Sequence, residues 1–93
     1  MIFFRQNIII DVRSDSEYAS GHIKDALNMP HDKIANMIGK YVPDKNAYII
    51  LYCRSGKRAE TARGILKHLG YSHVENIGGM EQAAKKYHFE IVH

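Results

Sequence analysis

One cysteine stands among three cations in the run Cys53-Arg54-Ser55-Gly56-Lys57-Arg58. A thiol becomes a strong nucleophile only when it loses its proton, and its free pKa of about 8.5 falls toward roughly 3.5 to 7.5 beside cations or at a helix N-terminus. Arg54, Lys57 and Arg58 supply the cations, while Ser55 and Gly56 let the backbone curl so that successive N–H groups form an anion-binding nest. The chemistry expected of this run is nucleophilic catalysis by Cys53, with the loop holding an anionic substrate and the charge that develops on it. The competing reading makes Cys53 a small buried hydrophobe beside a solvated loop. Three cations packed against a thiol in a Gly-containing turn are unnecessary for packing, and this favours chemistry.

Two elements must position that loop. The apolar run at residues 48–52 reads as a strand leading into Cys53, and from about Arg58 the residues Ala62, Ile65, Leu66 and Leu69 form a helical stripe that Gly70 stops. Such a junction aims backbone N–H groups and the positive end of a helix dipole at one point. Elsewhere, residues 8–12 suit a buried parallel strand, and Ser14 with Glu17 forms a capping box for a short helix that Gly21 ends. His22-Ile23 reads as a loop and residues 26–29 as a brief strand closed by Pro30. Asp32 is placed to cap a helix bearing Ile34, Met37, Ile38 and Tyr41, which Gly39 weakens and Pro43 ends. Residues 43–46 form a turn, 73–77 a strand, Gly78-Gly79 a flexible turn and 80–87 a last helix. This alternation predicts an α/β fold: a small parallel sheet of four to five strands with helices on both faces and functional groups at the strands' carboxyl ends.

The size and balance of the chain, 93 residues with 45% hydrophobic and 25% charged, fit one globular domain over 1–93. A single cysteine excludes an internal disulfide, and a net charge of +3 favours small anions without demanding nucleic acid. The apolar start is interrupted by Arg5, Gln6, Asn7 and Asp11, too soon for a membrane span, and lacks the ordered series of a secretory signal. His31, His68, His73, His88 and His93 show no ligand spacing, so no metal is expected, and nothing calls for a cofactor. Arg63 and Lys67 lie four apart without interleaved aromatics, a solvated face rather than a nucleic-acid track. Tyr48, Tyr52 and Tyr71 are expected to pack in the core or at its rim.

An ordered set of motifs spans nearly the whole chain: Ile9-Ile10-Asp11-Val12-Arg13, Glu17-Tyr18, Gly21-His22-Ile23, Ala26-Leu27-Asn28-Met29-Pro30, Cys53-Arg54-Ser55-Gly56-Lys57-Arg58-Ala59, Leu69-Gly70-Tyr71 and Gly78-Gly79. Together they resemble the single-domain rhodaneses, in particular the small bacterial rhodaneses of the cell envelope. The resemblance implies a rhodanese-like fold and a thiosulfate-type sulfurtransferase in which Cys53 is catalytic and Arg54, Ser55, Gly56, Lys57 and Arg58 bind substrate. It implies an anionic sulfur donor such as thiosulfate and a thiophilic acceptor, cyanide or a small or protein thiol, in a monomer with no nucleic-acid partner and no membrane insertion. It also makes Asp11 and Arg13 a buried structural pair near the site, since buried charges need partners. His22 could serve as a base, but its Gly-His-Ile segment looks like a turn and packing element. Within the loop, Arg54 is expected to face outward and Lys57 and Arg58 to reach substrate. The same resemblance implies a periplasmic protein if a signal was removed, and a cytoplasmic one if the chain is complete as given.

Two departures and two alternatives accompany this reading. No Trp is present where many rhodaneses carry one beyond the Gly-Gly pair, so that end is expected to pack differently; the extra N-terminal element of longer rhodaneses is also missing. A cysteine phosphatase needs C-x5-R to clasp phosphate bidentately, but position 59 is Ala and the loop is one residue short. The other alternative is a non-catalytic rhodanese-like module that binds anions, senses sulfur or oxidants, or recruits partners, against which the presence of Cys53 argues.

Overall fold

Parallel pairing of four short apolar segments organises the molecule, for which a computed structural model describes residues 7–93. The reading of residues 1–6 as neither membrane span nor signal lies outside those residues. In chain order the elements are β1 (Asn7–Asp11), α1 (Asp15–Ser20), β2 (His22–Ile23), β3 (Leu27–Asn28), α2 (Ile34–Tyr41), β4 (Tyr48–Cys53), α3 (Lys57–His68), β5 (His73–Gly79), α4 (Met80–Tyr87) and β6 (Ile91–Val92). The main sheet has the order β3-β1-β4-β5, all parallel, and β2 pairs antiparallel with β6 in a separate ribbon. Among the described residues no helix is long and apolar enough to cross a membrane.

Strand periodicity assigns each residue to a face. Ile10 and Val12, then Ile49, Leu51 and Cys53, point toward α2 and α3 and join Ile34, Ile38, Ala59, Ala62 and Leu66 in the larger core. Tyr52 points the other way and packs with Ile23, Ala26 and Ala83, with Met80 and Phe89 alongside. Ala83 and Phe89 thus pack the end that follows the Gly78-Gly79 pair. Each fully buried Ile or Leu contributes about 1.5 to 3 kcal/mol by leaving water, so the strands stay seated without a disulfide.

Several local expectations meet different physics. Helix α2 begins on the carbonyl of Pro30, which accepts from Lys33 N–H at 2.8 Å and Ile34 N–H at 2.9 Å, so Asp32 does not cap it. The His22-Ile23 segment is a strand rather than a loop, because Ile91–Val92, some seventy residues later, supplies its partner. Gly78 and Gly79 continue β5 rather than turning. Leu69 lies past the end of α3 and is 38% exposed, outside the stripe, while Gly70 and Tyr71 close the helix by donating to the carbonyls of Lys67 and Leu66. The Ser14–Glu17 capping box forms as its spacing predicts.

Candidate active site

Strand β4 ends at Cys53, after an irregularity in its pairing with β5 that sets Cys53 opposite Gly79. The chain then bends through Arg54 and Ser55, and Gly56 turns it into α3 with φ +95°, a left-handed conformation that glycine adopts without strain. This geometry returns the backbone over the sulfur: Gly56 N–H donates to Cys53 Sγ at 2.9 Å. The first turn of α3 follows at once, so its unpaired N–H groups and dipole lie beside the same sulfur. Cys53 itself is only 1% exposed. Its sulfur forms the floor of the loop.

The carboxyl end of β5 forms the bed on which this loop rests. A Cβ on Gly79 would lie 2.4 Å from the Arg54 carbonyl oxygen, and one on Gly56 would lie 3.3 Å from Gly78 Cα. Close backbone contact therefore requires glycine at 79, and a left-handed φ of +90° favours it at 78. Asn76 braces the loop from the same strand: its Nδ2 donates to the Gly56 carbonyl at 2.9 Å, and its Oδ1 accepts from Gly78 N–H at 2.9 Å.

The loop cations are placed unequally. Arg54 is exposed and lines a cleft together with Glu17 and Glu81. Lys57 is exposed at the first position of α3. Arg58 is half-buried and pairs in a bidentate fashion with Glu17, Nη1 to Oε1 at 2.7 Å and Nη2 to Oε2 at 3.0 Å. Glu17 is held at a pKa of about 2, first by that bond, against burial, and further by the N–H and hydroxyl of Ser14. The Arg58 pKa is raised in turn, chiefly by Glu17. Two of its five N–H donors are committed to Glu17. Ala59 is fully buried in α3, so no side chain at that position can clasp a phosphate.

On the opposite face, Asp11 and Arg13 are buried at 0% and 6% exposure. The Asp11 carboxylate accepts from Arg13 N–H at 2.9 Å, Nε at 2.9 and 3.0 Å and Nη2 at 2.6 Å, and from Tyr52 Oη at 2.8 Å. Arg13 Nη2 also donates to the Gly21 carbonyl, and Tyr52 Oη accepts from Ile23 N–H. Burial above all raises the pKa of Tyr52, so its hydroxyl stays protonated as a donor. These groups hold the carboxyl ends of β1 and β4 against β2, one residue away from Cys53. His22 stacks on Tyr18 at 3.7 Å and bonds the Tyr18 carbonyl through Nδ1, as befits a packing element. Among the described residues, no cluster of His, Cys, Asp and Glu could hold a metal.

Sequence reasoning did not find three contributors to the site. The capping box alone accounts for Glu17 in the sequence, although a carboxylate can serve a cap with one oxygen and a guanidinium with both. Tyr52 is expected from the sequence only to pack, yet its hydroxyl also donates to Asp11. Asn76 carried a signal in being a poor strand former immediately ahead of two glycines.

The sequence and the fold both place this arrangement among known proteins. Residues 2–86 match the model of the Rhodanese-like domain. The chain is 40% identical over 75 residues to the thiosulfate sulfurtransferase PspE of Escherichia coli strain K12, covering 81% of this chain and 72% of that protein. A solved rhodanese with anions from E. coli superposes with a TM-score of 0.85 at 36% identity, covering 94% of this chain and 98% of that one. The tRNA uridine(34) hydroxylase of Enterobacter sp. strain 638 is 36% identical over 84 residues, a match to 85% of this chain but 24% of that longer protein. By the match to its model, by PspE and by the superposition, the chain belongs to the rhodanese-like domain family.

Proposed function

We propose that the protein is a sulfurtransferase that carries sulfane sulfur on Cys53, with thiosulfate as donor and cyanide or a thiol as acceptor. The Cys53 thiolate attacks the outer sulfur of thiosulfate; a new S–S bond forms, the old one breaks, and sulfite departs with the bonding pair. Cyanide then attacks the outer sulfur of the Cys53 persulfide and leaves as thiocyanate, which restores the thiolate; a thiol acceptor, attacking the same sulfur through its own thiolate, would leave as a persulfide. Charge balances in both steps, and a deprotonated sulfur needs no general base. The observation that carries this reading is the Gly56 N–H aimed at Cys53 Sγ where α3 begins. A donor fixed there suits a negative sulfur in both its free and persulfide states, and the neighbouring N–H groups with Lys57 suit the charge on departing sulfite. The 40% identity to PspE supports the same chemistry.

Incubation with thiosulfate should add one sulfur atom to Cys53, detected by intact and peptide mass spectrometry, and cyanide should remove it as thiocyanate. Cys53→Ser should lose turnover by about a thousandfold or more. The 1% exposure of Cys53 favours a second reading, an anion-binding module without turnover. Absence of a sulfur adduct on the wild-type protein would establish that reading over the first.

A further inference from the structure

Gly56 joins two peptide units of the loop, one that faces the sulfur through its N–H and one whose carbonyl is held from outside the loop. Gly56 uses its N–H on Cys53 Sγ, while its carbonyl accepts both from Glu60 N–H at 3.0 Å, within α3, and from Asn76 Nδ2 at 2.9 Å. In a planar trans peptide the carbonyl and the following N–H point in opposite directions. Holding the Gly56 carbonyl along α3 therefore directs the Lys57 N–H outward, beyond the helix end, where it has no partner within the helix. The brace is itself fixed: Gly78 N–H donates to Asn76 Oδ1 at 2.9 Å, and Asn76 Nδ2 also lies 3.2 Å from Glu60 Oε1. Each end of the amide has a matched partner, so the side chain is held in one orientation.

We infer that Asn76 is a positioning residue for the anion cradle: it acts through the Gly56–Lys57 peptide to hold the loop's N–H groups on an incoming anion, without touching that anion. Glycine at position 56 makes such a brace necessary, because its backbone is the least restricted in the loop and would otherwise sample other orientations. The inference rests on the proposed sulfur transfer for its effect on thiosulfate, but not for its effect on the cradle.

Two alkylating reagents of nearly equal size separate these effects. Iodoacetate carries a negative charge and gains from the cradle; iodoacetamide is neutral and does not. The ratio of their rate constants at Cys53 should fall by about fivefold or more in Asn76→Ala, roughly the worth of one hydrogen bond. General loosening of the fold would speed both reagents and leave the ratio unchanged. Asn76→Leu, matched in size and lacking polar atoms, should give the same fall and serves if the alanine variant does not fold. In steady-state assays the KM for thiosulfate should rise by a similar factor while kcat changes less. An unchanged ratio in the folded variants overturns the inference, as does a wild-type Cys53 that neither reagent reaches. A wild-type protein whose ratio falls on substitution but which takes no sulfur from thiosulfate refutes the proposed function and leaves the role of Asn76 standing.

Discussion

Two bidentate carboxylate–guanidinium pairs flank the end of β4, and they do different work. The side chains of Asp11 and Arg13 are 0% and 7% exposed, whereas those of Glu17 and Arg58 are 31% and 32% exposed. The inner pair is enclosed with Tyr52, Ile23 and Gly21, and none of its buried side-chain oxygens and nitrogens lacks a partner. The outer pair reaches from α1 to the start of α3 and sets the charge beside the sulfur. The same chemistry thus becomes framework where water is excluded and a trim of the local field where water remains. Adjacent residues connect the two: Tyr52 faces the inner pair and Cys53 the loop, because consecutive strand residues alternate between faces.

The strongest attack on this contrast is Asp11→Ala, which strands the buried Arg13 charge and the Tyr52 hydroxyl. It should cost about 3 to 5 kcal/mol of unfolding free energy in urea titrations. A loss below about 1 kcal/mol would place the inner pair on the same footing as an exposed one. Next in size, Gly79→Ala puts a methyl group against the Arg54 carbonyl and should lower stability by roughly 1 to 3 kcal/mol. Because the displaced atoms belong to the loop, sulfur uptake by Cys53 should slow about tenfold or more; unchanged uptake would show that close β5 contact does not shape the cradle.

The smallest effect belongs to the outer pair. A carboxyl lowered from 4.5 to about 2 stabilises the fold above its unfolded value and surrenders that contribution as pH drops from about 4.5 toward 2. Solvent screening of a pair this exposed keeps the contribution to about 1 kcal/mol or less. Glu17→Gln should therefore destabilise the protein slightly near neutrality, and the gap from wild type should narrow below about pH 4.5 and close only toward pH 2. A gap that widened in acid would reverse the assignment of Glu17 as the anionic partner of Arg58.

The loop was the most legible part of the site because its residues are contiguous. Cys53 through Arg58 declare a thiol, cations and a tight turn within six positions, and the strand and helix around them carry clear periods. Its supports were less legible. Glu17 lies 41 positions from Arg58 and Asn76 lies 20 from Gly56, so nothing local announces either pairing. The β2–β6 ribbon was unreadable for the same reason: two residues at His22–Ile23 become a strand only when Ile91–Val92 arrives beside them. Gly78-Gly79 misled in another way, since glycine pairs mark turns and close backbone approaches alike.

By itself the amino-acid order determined an alternating α/β chain, a strand delivering one thiol to a cationic turn, and a helix beginning where that turn ends. Those features follow from propensity, periodicity and short-range hydrogen bonding, all of which act within a few residues. Folding alone decided which guanidinium is held by a carboxylate, which strand end supports the loop, and how completely the sulfur is enclosed. Such matters depend on distances between groups far apart along the chain, and these acquire values only when the sheet brings β1, β4 and β5 side by side.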